Sequence, residues 1–121
     1  MHDAHGNPIP FTNADLSDLG ARMPQIARLR GGAEIAHDER DHWPHGLGLI
    51  TAPGEDRAVL AFWREVDGYI HAQWIADGTP YTFGDLGALL DAMIAEWKAE
   101  SRRRAARAKR AGKLPELVAK A

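Results

Sequence analysis

The chain contains no cysteine, which excludes disulfides, thiolate nucleophiles, thiolate zinc sites and cysteine-ligated iron–sulfur clusters together. Its stability has to come from a packed core. Lysine is absent before Lys98, so most of the chain holds neither a phosphate-gripping P-loop lysine nor a Schiff-base lysine. Serine occurs only at Ser17 and Ser101; neither sits in a Gly-x-Ser-x-Gly turn, and acyl-transfer hydrolysis is not expected. No stretch approaches the ~18 apolar residues of a membrane span. Residues 1–10 carry His2, Asp3 and His5 rather than the apolar run of a secretory signal. The expected compartment is the cytoplasm, with no membrane partner.

What is present is the balance of one ordinary domain: 121 residues, 45% hydrophobic and 26% charged. The net charge of −2 hides a division. Residues 1–97 hold 15 Asp and Glu against 6 Arg, a formal −9, whereas residues 98–121 hold 9 Lys and Arg against 2 Glu, a formal +7. An acidic body carrying a basic extension is implied.

Apolar residues Leu16, Leu19, Met23, Ile26 and Leu29 recur at three- and four-residue steps, the period of an amphipathic helix. Asn13 is placed to cap it, Pro24 is expected to kink or divide it, and Gly31 and Gly32 to end it. Residues 37–45 (HDERDHWPH) read as a polar loop. Residues 46–52, 57–66 and 69–76 are short, aromatic and β-branched, and read as a three-stranded antiparallel meander. A fourth strand around residues 34–36 is placed at one edge. Asp67–Gly68 suggests a type I′ hairpin, and Pro53–Gly54 a longer turn. Thr82 and Asp85 precede an apolar run, Leu86, Leu89, Leu90, Met93, Ile94 and Trp97, that predicts a long amphipathic helix. Good helix formers continue it to about residue 111, where Gly112 is expected to cap it, with residues 98–111 projecting roughly 20 Å past the core. Pro115 then suits the start of a short apolar tail. The expected fold is therefore α+β: an N-terminal helical segment, a three- or four-stranded antiparallel meander and a long C-terminal helix with a basic extension. Residues 1–97 form the compact domain; residues 98–121 form the arm and tail.

Helix, three strands, helix is also the element order of double-stranded RNA-binding domains. Those domains place phosphate-gripping lysines where the second helix begins. Here that turn is Thr82, Phe83, Gly84 and Asp85, which would repel phosphate, and the chain is not assigned to them.

Chemistry is concentrated in the arm. Arg102, Arg103, Arg104, Arg107, Lys109, Arg110 and Lys113 are interrupted mainly by alanine, and guanidinium forks suit phosphate oxygens. With no aromatic residue among them, contact would be with phosphates and not with bases. The same charges would also favour the negative end of the helix dipole, or the acidic body of this or a neighbouring copy, giving a homo-oligomer. Replacing Arg103 and Arg107 by Ala is expected to lower nucleic-acid affinity and its salt dependence. The loop histidines His37, His42 and His45, with Asp38, Glu39 and Asp41, are competent zinc ligands, but their spacing is not that of a known zinc site. His71 reads as a hydrogen-bonded sheet residue. Trp63, Trp74 and Trp97 are expected in the core, whereas Trp43 is placed either to anchor a partner or to cap one edge of the core, and Leu114, Leu117 and Val118 in the tail either to dock on a partner or to fold back onto the core. Asp15, Asp18, residues 38–41 and Glu55–Asp56 spread acidic charge over the body.

The reading is a small non-enzymatic binding protein without a cofactor. It contacts nucleic-acid phosphates or an acidic partner surface through the arm. The alternatives are a protein-interaction module, an inhibitor or adaptor, using the acidic body, Trp43 and the tail, and, behind it, a metal-dependent enzyme built on the histidine loop.

Overall fold

The computed structural model describes residues 9–37 and 44–120, and the side chains of residues 9–35 and 47–110. Along the chain run α1 (Asn13–Arg28), β1 (Gly32–His37), β2 (Pro44–Thr51), β3 (Leu60–Arg64), β4 (Ile70–Trp74), β5 (Pro80–Phe83) and α2 (Leu86–Lys120). The architecture is α+β, with one five-stranded antiparallel meander in the order β1-β2-β3-β4-β5.

Thr12, rather than Asn13, caps α1. Its hydroxyl accepts from Asp15 N at 3.1 Å while Asp15 Oδ2 accepts from Thr12 N at 2.8 Å, a reciprocal capping box. Pro24 does not divide the helix, which runs unbroken through it. Pro24 and Gly20 are both exposed, so the carbonyl that loses its partner lies on the solvent side, where water can take its place. The helix ends in a Schellman arrangement: Arg30 N donates to Ala27 O and Gly31 N to Ile26 O. The left-handed residue in it is Arg30, at φ 64°, and not one of the glycines that follow.

The sheet has two strands more than the clearest three. β1 starts at Gly32 and pairs with β2, so the polar loop is shorter than its composition suggests and His37 and Pro44 face each other across the ladder. β5 is a four-residue edge strand that begins with Pro80, tolerated where a strand starts. Thr82 belongs to it, opposite His71, and so does not cap α2. Asp85 does, its Oδ1 accepting from Ala88 N at 2.7 Å. The β3–β4 turn is not type I′. Only Gly68 takes a positive φ, 83°, while Gly68 N donates to Glu65 O and Glu65 N to Tyr69 O, a type I turn closed by a left-handed glycine. The Pro53–Gly54 turn is present, with Glu55 N donating to Ala52 O.

Both helices cover one sheet face. Ile50, Leu60, Phe62, Ile70 and Ala72 from the strands meet Ile26 from α1 and Leu86, Leu89, Leu90, Ile94 and Trp97 from α2. Gly48 belongs to that face because the Phe62 ring lies directly over it; a Cβ there would fall inside the ring. Two ion pairs lock α1 down. Asp15 is buried and takes a fork from Arg64 at 2.6 and 2.9 Å. On the surface Arg22 bridges to Asp91 of α2 at 2.7 and 3.1 Å. Asp15 is therefore internal structure rather than part of an acidic face.

Trp97 and Trp74 pack on the core as expected, but Trp63 does not. It alternates with Phe62 and so points to the other face, where its Nε1 donates to Glu65 Oε1 at 2.7 Å and its ring stacks on His71.

Candidate functional site

α2 leaves the core after Trp97. The Trp97 ring lies against Gly31, where a Cβ would come within 2.5 Å of Cζ3, and this contact joins the end of α1 to the point where α2 departs. Gly112 does not cap α2 and Pro115 does not begin a separate helix: the helix continues to Lys120. Residues 101–110 are exposed throughout, so Arg102, Arg103, Arg104, Arg107, Lys109 and Arg110 all stand in solvent. The side chains of Lys113, Leu114, Leu117 and Val118 lie outside the described residues, as does Trp43.

Helical geometry, ~100° per residue, separates these cations into two sets that the sequence treats as one. Glu96, Glu100, Arg103 and Arg107 share a stripe and neutralise one another. Glu100 Oε2 accepts from Arg103 Nε and Nη2 at 3.0 and 2.8 Å, its Oε1 accepts from Arg107 Nη2 at 3.0 Å, and Arg104 Nε lies 3.4 Å away. Arg103 also reaches Glu96 at 2.9 Å. The Arg103 hydrogen bonds hold the Glu100 carboxyl below the usual carboxylate range against desolvation, with the charges of Arg107 and Arg104 adding to the effect. Lys98, Arg102 and Lys109 fall on a different stripe, at steps of four and seven, and none of them is paired with a carboxylate among the described residues.

At the root of the arm is a cavity of about 460 Å³ between the end of α1, the β2–β3 turn and α2. Leu29, Ala52, Pro53 and the edge of Trp97 supply apolar wall. Arg28, Arg30 and Arg104 line it with positive charge, against Glu55 and Glu100. A smaller hollow of about 250 Å³ adjoins it across Leu29 and Ser101 and is lined by Lys98 and Arg102. The sequence reading did not include Arg28 and Arg30, which are some seventy residues from the arm in the chain. The available signal was two arginines flanking Leu29 at a helix end, a pattern that the helix dipole alone accounts for.

Of the histidine loop, residues 38–43 lie outside the described residues, and His37 and His45 appear only as strand backbone. Among the described residues no three His, Asp or Glu side chains are grouped to hold a metal. His71 is a sheet residue with Nε2 2.8 Å from Asp67 Oδ2. Nor is any helix among the described residues long and apolar enough to cross a membrane. Compared with known proteins, the chain matches no family model, no curated protein and no solved structure.

Proposed function

We propose that the chain is a cytoplasmic, non-enzymatic binding protein whose basic extension of α2 contacts nucleic-acid phosphates. The observation that carries this reading is the stripe of Lys98, Arg102 and Lys109 on an exposed helix, unpaired among the described residues. Cations already paired with carboxylates release fewer counterions on meeting phosphate, whereas unpaired ones contribute nearly their full share. The arm's lack of aromatic residues supports contact with the backbone and not with base edges. Within the arm the weight shifts from Arg103 and Arg107, which Glu100 holds, to Arg102 and Lys109.

Fluorescence anisotropy with short labelled RNA and DNA strands over a salt series tests this. Affinity should fall steeply with salt. Arg102→Ala with Lys109→Ala should lower the log–log slope by about 1.4–1.8, at roughly 0.7–0.9 per lost phosphate contact. Arg103→Ala with Arg107→Ala should lower it less, because Glu96 and Glu100 already neutralise those two cations. Salt-insensitive binding, or an Arg102/Lys109 double variant that binds as the parent does, would sink the proposal.

A further inference from the structure

The cavity at the root of the arm is, we infer, a site for one nucleotide unit of a single strand, its base against the apolar wall and its phosphate between Arg28, Arg30 and Arg104. The inference rests on the phosphate-binding reading of the arm and deepens it.

Five observations converge here. The cavity, about 460 Å³, lies within the range of small-ligand sites, a few hundred Å³ upward, and has no room for a duplex. Its wall combines two chemistries: Leu29, Ala52, Pro53 and Trp97 supply apolar surface, and three guanidinium groups outnumber the two carboxylates, Glu55 and Glu100, that share the lining. A nucleotide has the same two parts, a π-faced base and an anion, and guanidinium planes both stack on bases and fork to phosphate. Arg28 and Arg30 have no carboxylate partner among the described residues, so their donors are available. Arg30 is also held at φ 64°, a conformation that favours glycine, although glycine stands at the next two positions. A side chain kept in a strained backbone position at the mouth of a cavity points to a role for that side chain. Finally, the adjoining hollow leads from the cavity to Lys98 and Arg102, so a strand leaving the cavity runs onto the unpaired stripe. That continuity favours a polyphosphate chain over an acidic peptide, whose charges have no fixed spacing.

The test compares the full chain with an Arg28→Ala/Arg30→Gly variant and the Arg102→Ala/Lys109→Ala variant. Glycine at position 30 relaxes the backbone, and a thermal melt of the variant no lower than that of the parent shows that a loss is not one of folding. Anisotropy is measured with a labelled single strand and with a duplex, and adenosine 5′-monophosphate and an acidic peptide are titrated by amide NMR. The expected result is about a tenfold loss of single-strand affinity in the Arg28/Arg30 variant with a much smaller loss for duplex. Adenosine monophosphate should shift Gly31, Gly54 and the Trp97 indole N–H in the parent and in the Arg102/Lys109 variant. Equal losses for single strand and duplex would mean bulk charge alone, and would overturn the site while leaving the arm reading intact. So would shifts produced by the acidic peptide and not by the nucleotide. A parent chain that binds neither strand nor duplex would overturn the arm reading, and the site with it.

Discussion

Asp15 carries more of the fold than its place in an acidic sequence implies. It is 1% exposed, completes the capping box of α1 and accepts two hydrogen bonds from Arg64, which also donates to Gly68 O at 2.9 Å. One carboxylate thus ties the start of α1 to the end of β3 and to the next turn. Burial works to raise its pKa, but the bonds from Arg64 and Thr12 outweigh it and hold the group below the ordinary Asp value. Its folded pKa lies below its unfolded one. The stabilisation is therefore complete above about pH 4 and is lost as the pH falls through the folded pKa. Asp15→Ala should cost about 3 kcal/mol, the low end for one partner of a buried pair because Arg64 keeps some solvent contact. Asp15→Asn should flatten the acid limb of stability against pH; urea melts from pH 7 to pH 3 check both, and an unchanged acid limb would contradict the assignment. Arg30 makes the opposite case. A non-glycine residue in the left-handed region costs ~1 kcal/mol, partly offset by glycine's greater unfolded-state freedom, so Arg30→Gly should raise stability by up to about 1 kcal/mol. A lower melting temperature would mean that the Arg30 side chain is structural.

Among the elements, α2 was the most legible and the edge strands the least. Leu86 to Trp97 repeat at helical spacing through several turns, and that period survives folding because it is what the sheet buries. β5 is four residues with three exposed, too short to show alternation, and Thr82 beside Asp85 imitates a helix cap until its ladder partner His71 is known. The histidine-rich composition of residues 37–45 concealed the ends of β1 and β2, whose pairing is a tertiary fact. α2 itself divides at Trp97, the last residue it buries among the described side chains; residues 101–110 are exposed. Ending the chain after Glu100 should therefore leave the melting temperature of the body within a few degrees of the parent, since exposed ion pairs add little. Collapse of the near-UV circular dichroism in the shortened chain would show that the arm packs back and is structural.

At the level of the whole molecule, the charge is arranged along its length. The body keeps a formal −9 through residue 100, counting 16 acidic against 7 basic residues, so like charge should push it away from phosphate while the arm draws phosphate in. The shortened chain should accordingly lose salt-sensitive strand binding altogether, a stronger loss than any pair of substitutions, and retained binding would place the interface elsewhere. The proposed site would also orient the molecule on a strand. One held along Lys98, Arg102 and Lys109 would reach the body at the cavity between α1 and the β2–β3 turn, which Arg28 and Arg30 line.

The amino-acid order alone carries the α+β class, the long C-terminal helix, the central hairpins and the separation of acidic body from basic arm, because each depends on local period or on simple charge. It also marked the arm's arginines and lysines, though without distinguishing among them. Folding settles the rest: which of those cations Glu96 and Glu100 hold, the burial of Asp15 against Arg64, and the meeting of Arg28 and Arg30 with the root of α2. Those are relations between residues on different elements or different faces of one helix, and neither hydrophobic period nor composition encodes which partner a charged side chain finds once the core has closed.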